Sequence, residues 1–217
     1  MNIIKRIVLC LLGKSEKDRH LPELRALTPY LSTAGWFRSI VEGVPVDADG
    51  KALPWYTYSF IDFISERIYP TMRVFEYGSG NSTLWWSERV AGVVACEHDE
   101  PWFKAVSQKV PDTVDYRYCE LEYGGEYCKL ISSFTSEFDC IIIDGRDRVN
   151  CAKNALAALK ENGVIIWDNS DRASYQEGYT FLLENGFRRI DFWGLGPINP
   201  YQWCTSVFYR EENCLMI

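Results

Sequence analysis

Residues Arg73 to Thr83 read Arg-Val-Phe-Glu-Tyr-Gly-Ser-Gly-Asn-Ser-Thr, an apolar run that ends in an acid, meets Gly-x-Gly and continues into a segment with helical character. Few patterns constrain a fold so closely, because they require a strand, a tight turn and a helix in immediate succession. The glycines let the backbone approach a ligand, and the helix start offers N–H groups with no intrahelical partner. A second strand pattern, Val93-Val94-Ala95-Cys96-Glu97, ends in another acid about twenty residues on. Acid-ended strands on both sides of a glycine turn point to a nucleoside-binding βαβ unit, with the second acid on ribose hydroxyls.

The rest of the chain repeats the alternation. Strands are predicted at 73–77, 93–97, 114–119, 138–143, 163–167, 188–193 and 203–209, and helices at 82–90, 101–109, 148–161 and 174–185. Gly163 and Gly186 stand where helices stop and strands begin. Alternating strands and helices imply a parallel sheet covered on both faces. Between the last two strands lies Gly194-Leu195-Gly196-Pro197-Ile198-Asn199-Pro200, with no helix, which predicts an antiparallel hairpin at the sheet edge. Glu76, Glu97, Glu120, Asp144 and Asp168 all fall at carboxyl ends of strands, where an open α/β sheet places its ligands.

Ahead of the first strand, Pro54 opens a helix predicted over 55–68, with Tyr56, Phe60, Phe63 and Ile64 at helical spacing and Pro70 ending it. Residues 13–53 are polar and turn-rich, with a tight turn at Asp47-Ala48-Asp49-Gly50. The organisation read from this is a partly helical N-terminal extension, 1–53, followed by one α/β domain, 54–217. The segment Met1–Leu12 lacks a small-residue cleavage site and contains Lys5 and Arg6, which disfavours a signal peptide. It reads as a first helix packing on the domain or on a second subunit of an oligomer, or as a weak membrane-surface anchor over 1–19 helped by Lys14, Lys17 and Arg19. No run is long enough to cross a bilayer.

Charge narrows the partners. The net charge of −7 opposes nonspecific nucleic-acid binding, which needs clustered Lys and Arg. The 8 cysteines include no C-x-x-C pair, so neither a zinc ribbon nor a thioredoxin-type motif is present. Cys96, Cys119 and Cys140 fall in apolar strand patterns, where free Cys acts as a small hydrophobe, and the reading is a reducing, cytoplasmic setting.

Glu76-x-Gly78-x-Gly80 after the first strand, Glu97 after the second and a reversed terminal hairpin resemble the class I S-adenosylmethionine-dependent methyltransferases over roughly residues 55–210. The resemblance implies a Rossmann-like seven-stranded sheet of order 3-2-1-4-5-7-6, last strand antiparallel, with helices on both faces. It implies that Gly78, Ser79 and Gly80 approach the methionine part of the cofactor, within a turn that includes Glu76, Asn81 and Ser82. Glu97 is expected on the ribose hydroxyls, His98 against the adenine, and Asp144 beside the cofactor. Glu120 either reaches the adenine amine or sits in a solvated loop. Ser82 stands in place of the usual third glycine.

A second segment resembles the cation-dependent O-methyltransferases, the catechol and caffeoyl-coenzyme A type. Phe138 to Asp144 is an apolar strand ending in an acid, and Gly163 to Asn169 is another ending in Asp168-Asn169, 24 residues beyond Asp144. The resemblance implies Mg²⁺ on Asp144, Asp168 and Asn169. Two carboxylates and an amide oxygen are hard donors suited to that ion, which would lower the pKa of an acceptor hydroxyl. Asp144 is also capable of capping the next helix, and Asp168-Asn169 of forming a simple turn. Where that family often carries a lysine base, this chain has Asp147 between Arg146 and Arg148. That cluster steers an anionic acceptor, pairs internally, or makes Asp147 the base. The catalytic candidates are therefore Asp144, Arg146 and Asp147.

Trp167, Trp193, Tyr201 and Trp203 lie near strand ends and the final hairpin loop, and Trp55, Tyr56 and Tyr58 lie where this fold places a substrate lid. The leading expectation is O-methylation of a small-molecule or glycan hydroxyl, with a phenolic acceptor second. A nucleoside-binding interaction module without transferase activity is the alternative of a different class. Aminopropyl transfer on the same fold needs an acidic polyamine pocket, which the Arg146-Asp147-Arg148 cluster opposes.

Overall fold

The computed structural model describes residues 28–217. The expectations for 1–19 lie outside the described residues. Seven strands form one sheet in the order β3-β2-β1-β4-β5-β7-β6. Their ranges are β1 Arg73–Tyr77, β2 Gly92–Glu97, β3 Val114–Tyr118, β4 Phe138–Ile143, β5 Leu159–Asp168, β6 Arg188–Gly194 and β7 Trp203–Tyr209. β1 to β5 pair in parallel, and β7 runs antiparallel to both β5 and β6, as the terminal hairpin predicts.

Period-two alternation distributes each central strand between two cores. Phe75, Tyr77, Ile141, Ile143, Ile165 and Trp167 face one apolar cluster. Val74, Cys140, Ile142, Val164 and Ile166 face the other. Both faces are covered, so these strands read as continuous apolar runs. The helices are α1 Trp36–Glu42, α2 Tyr58–Ser65, α3 Asn81–Ser87, α4 Glu100–Ser107, α5 Glu126–Lys129, α6 Arg148–Ala155 and α7 Gln176–Glu184.

Four differences from the sequence expectations have physical causes. The helix expected over 55–68 starts only at Tyr58, because the Thr57 amide donates to Thr205 Oγ1 at 3.2 Å and the Tyr58 amide to the Leu195 carbonyl at 2.7 Å. Those bonds tie the helix entry to the hairpin. The helix expected over 148–161 ends at Ala155, and β5 begins at Leu159 rather than 163. The amides of Ser136 and Glu137 take the Ala157 and Ala158 carbonyls, so tertiary pairing overrides the helix propensity of Leu159-Lys160-Glu161. Gly163 is therefore inside β5, where a Cβ would stand 2.6 Å from Leu159 Cδ1. Within the turn-rich segment, the described residues 28–53 hold more structure than that reading allows, since α1 buries Trp36 in the core and Ser39 exchanges hydrogen bonds with Val46. The tight turn at Asp47–Gly50 is present, closed by the Gly50 amide on the Asp47 carbonyl at 3.2 Å. The fourth difference is the helical turn α5, which no apolar period announces in Glu126-Tyr127-Cys128-Lys129.

Candidate active site

The carboxyl ends of β1, β2, β4 and β5 meet at one edge of the sheet, and the turns after them build the site. Gly78 adopts φ 94° and Gly80 φ 155°, regions that L side chains rarely enter. A Cβ on Gly78 would stand 3.1 Å from the Gly145 backbone, and one on Gly145 would strike the Tyr127 hydroxyl. The turns after β1 and β4 therefore approach as bare backbone. Thr83 braces the first turn: its hydroxyl donates to Glu76 Oε2 at 2.5 Å and accepts the Gly80 amide at 3.1 Å.

Glu76 is fully buried and its Oε1 has no hydrogen-bond partner. Burial pushes its carboxyl up to about 7, against the pull of hydrogen bonds from Ser82 and Thr83. A buried carboxylate with an unfilled acceptor is a place for a donor from a ligand. Asn81 is turned elsewhere, its amide donating to the Pro45 carbonyl at 2.6 Å.

Glu97 is 4% exposed. Its Oε1 accepts the His98 and Asp99 amides at 2.7 and 2.9 Å, and its Oε2 accepts the Ser79 hydroxyl at 2.9 Å. Each carboxylate oxygen has about two acceptor sites, so Oε1 is filled and Oε2 keeps one free. A grip on two ribose hydroxyls requires Ser79 to release Oε2. His98 Nδ1 lies 2.8 Å from Glu97 Oε1 without the alignment of a hydrogen bond. Trp102 donates its indole N–H to the Ser79 carbonyl at 2.9 Å and stays 45% exposed. Glu120 is exposed beyond β3 and lines none of the clefts described next.

Three adjoining clefts run along this edge. One of about 500 Å³ is lined by Glu97, His98, Asp99, Pro101, Trp102 and Arg146. One of about 220 Å³ lies over Gly78, Ser79 and Gly145, bounded by Glu97, Asp144 and Arg146. An outer cleft of about 600 Å³ is walled by Trp55, Asp144, Asp168, Asn169, Tyr201 and Trp203, with Arg146 again on its rim. Arg146 lines all three and is exposed, and its guanidinium makes no hydrogen bond or ion pair within the described residues. Of the expected lid aromatics only Trp55 reaches one of these three clefts, and Tyr56 and Tyr58 are buried away from them. Trp167 is buried in the core, and Trp193 is exposed on β6 outside these clefts.

The structure brings Asp144, Asp168 and Asn169 together, but around Arg148. The guanidinium of this 5% exposed residue donates to the Gly145 carbonyl at 2.9 Å, the Asp144 carbonyl at 2.8 Å and the Asp168 carbonyl. It also donates to Asp144 Oδ1 at 3.1 Å and Asn169 Oδ1 at 3.3 Å. Asp168 Oδ1 accepts the Thr205 hydroxyl at 2.6 Å and the Trp203 indole N–H at 3.0 Å. Burial pushes both carboxyls above the ordinary range, and Arg148 pulls them back. The expected Mg²⁺ set does not fit a divalent ion, because a protein cation already sits between its members, on Asp144 Oδ1 and Asn169 Oδ1, and Asp168 Oδ1 is taken by two protein donors. No cluster of three or more His, Cys, Asp or Glu able to hold a metal exists among the described residues.

Asp147, read as a candidate base, is committed elsewhere. It adopts φ 50°, its Oδ2 accepts the Gly124 amide at 2.7 Å and its Oδ1 the Asn150 amide group at 2.7 Å. It lines none of the three clefts. Sequence reasoning missed Thr83, Trp102, Arg172 and the buried role of Arg148. A hydroxyl seven residues after a buried acid is too common a pattern to single out Thr83.

No family model matches the chain, and no curated protein matches it. Solved structures do. The precorrin-6y C5,15-methyltransferase of Geobacter metallireducens GS-15 superposes with TM-score 0.55 at 12% identity, over 70% of this chain and 87% of that one. The tRNA (m1A58) methyltransferase of Aquifex aeolicus gives 0.53 at 15%, over 80% and 74%. An rRNA methylase of Streptococcus thermophilus gives 0.51 at 17%, over 69% and 93%. At such identities the likeness establishes a shared fold, the Rossmann-like methyltransferase sheet.

Proposed function

We propose that this chain is an S-adenosylmethionine-dependent methyltransferase acting on a hydroxyl of a small molecule or glycan. One observation carries the reading: Asp144 and Arg146 belong to both the cleft over the Gly78–Gly145 backbone and the outer polar cleft. A donor in the first and an acceptor in the second would meet across those two side chains. The residues suit the cofactor, since a positive-φ glycine turn, a buried acceptor on Glu76 and an open site on Glu97 Oε2 match its amino-acid and ribose parts. When bound, S-adenosylmethionine supplies a methyl on a sulfonium, an electrophile that needs no activation.

The protein's task is then to position the acceptor and handle its proton. Asp144 has one oxygen on Arg148, and its other oxygen is available to accept a hydrogen bond from the acceptor hydroxyl. Arg146 extends over the junction as a guanidinium fork. Asn169, Asn199, Gln202 and Asp171 make the outer cleft polar, and Trp55 and Tyr201 add aromatic faces. That mixture favours a hydroxyl-rich ring over a phenol, the second acceptor class. RNA, the acceptor named for two of the structural neighbours, is opposed by the net charge of −7.

Release of S-adenosylhomocysteine with glycan, sugar and phenol acceptors is the test. Turnover on a hydroxylated acceptor is expected. Tight S-adenosylmethionine binding without release on any acceptor class would transfer the chain to the interaction-module reading.

A further inference from the structure

Arg148 is unusual among the charged residues at this edge. It is the first residue of α6, yet its side chain turns back beneath the strand ends instead of into solvent. There it meets three backbone carbonyls, a carboxylate oxygen and an amide oxygen, all on the turns after β4 and β5. Those two turns carry the positive-φ residues Asp147 and Asn169, so both bend sharply around the guanidinium. Asp144 and Asp168 repel one another at this spot, and Arg148 compensates them first, with Arg172 on the outer cleft adding a smaller pull on Asp144. Five N–H donors in a planar fork suit this array, whereas the compact ammonium of lysine would leave oxygens unfilled.

We propose that Arg148 is the resident cation of the cleft: its guanidinium occupies the locus that the Asp144 carboxylate, the Asn169 amide oxygen and the Asp168 carbonyl, with the Asp168 carboxylate beside them, would otherwise offer a divalent ion, and it holds Asp144 with one oxygen free toward the acceptor. Arg148 is thus a positioning residue acting through Asp144. The charge count is simple. With Arg148 the group carries two negative charges and one positive. Without it, the Asp144 carboxylate, the Asn169 amide oxygen and three main-chain carbonyls, that of Asp168 among them, face a space the size of the lost guanidinium, a hard donor set. A residue that only stapled the strands would leave lower stability on removal and gain no ion. The proposal concerns ion occupancy and does not depend on methyl transfer.

Paramagnetic Mn²⁺ is the probe, read by broadening of the Trp203 indole N–H resonance, which reports on Asp168 through their hydrogen bond. In the wild-type chain, no site-specific broadening of Trp203 is expected at Mn²⁺ concentrations up to the millimolar range. Saturable broadening there would overturn the proposal. Arg148→Met, close in volume and uncharged, is expected to gain saturable Mn²⁺ binding at Trp203, and adding Asp168→Asn to that variant should weaken it by roughly tenfold or more. A folded Arg148→Met protein that gains no Mn²⁺ would overturn it as well. Should Arg148→Met fail to fold, the wild-type titration still decides. Failure of methyl transfer shows as absent S-adenosylhomocysteine release and leaves the Mn²⁺ result unaffected.

Discussion

The turns after β1 and β2 and the turns after β4 and β5 each present two carboxylates at strand ends, and they satisfy them in opposite ways. Glu76 and Glu97 receive neutral donors, the hydroxyls of Thr83 and Ser79 and the amides of His98 and Asp99. Asp144 instead takes the buried Arg148 guanidinium on its carboxylate, while Arg148 reaches Asp168 at the main-chain carbonyl and the Asp168 carboxylate takes the Thr205 hydroxyl and the Trp203 indole N–H. Neutral donors orient a carboxylate without cancelling its charge, and burial still pushes the Glu76 carboxyl up to about 7 against their pull. A guanidinium does both. One half of the site is therefore receptive to an external cation, and the sulfonium and ammonium of S-adenosylmethionine are such groups. The other half brings its own cation.

The strongest way to break that contrast is to remove the internal cation. Arg148→Ala should lower unfolding free energy by about 3 kcal/mol, because it strands buried carboxylates and three carbonyls. Urea denaturation measures it. A loss under about 0.5 kcal/mol, the size of an ordinary surface change, would mean that the cluster does not depend on Arg148.

On the neutral-donor half the effect should appear in binding. Glu97→Ala removes an acceptor for ribose and should weaken S-adenosylmethionine at least about tenfold, since hydrogen bonds to a charged group contribute ~1.5–3 kcal/mol. Calorimetry reads the dissociation constant and circular dichroism checks the fold. An unchanged constant would move the ligand to the other half and end the comparison.

A pH titration of a Glu76 variant probes the neutral-donor half without a ligand. Glu76 has a folded pKa near 7 against an ordinary value of 4.5. Between those values the folded state holds a proton that the unfolded state has lost. The Glu76 contribution to stability is therefore full below about pH 4.5 and disappears as pH rises through about 7. Glu76→Gln should flatten the fall in stability across that window. An identical slope in the variant would show that Glu76 does not titrate there.

Much of this contrast was legible in the sequence, and the reason for each gap is physical. The strands after which Glu76, Glu97, Asp144 and Asp168 fall were readable because a sheet covered on both faces needs continuous apolar runs, and because glycine turns are local. The convergence of Asp144, Asp168 and Asn169 followed from the strand order. What filled their centre did not. Arg148 is a single basic residue at a helix start, and only the fold of α6 over β4 directs it inward. Asp147 was misjudged for the same reason: its hydrogen bonds reach Gly124, on a loop distant in sequence. Helix ends at 155 and 58 were likewise set by pairing with remote segments rather than by propensity.

The smallest expected effect tests the boundary between the halves, where Arg146 lines all three clefts of this edge and its guanidinium binds nothing within the described residues. An exposed, unpaired guanidinium contributes little to stability, so Arg146→Lys should leave denaturation unchanged. Lysine keeps the charge and loses the planar fork, which matters only to a group that takes two parallel hydrogen bonds. If Arg146 serves the acceptor, kcat/KM for it should fall about fivefold, ~1 kcal/mol, with S-adenosylmethionine affinity unaltered. The reverse pattern, weaker S-adenosylmethionine binding and untouched acceptor kinetics, would assign Arg146 to the neutral-donor half. Its charge would then oppose the cationic ligand that half is argued to attract, so that result would also count against the electrostatic distinction between the two pairs of turns.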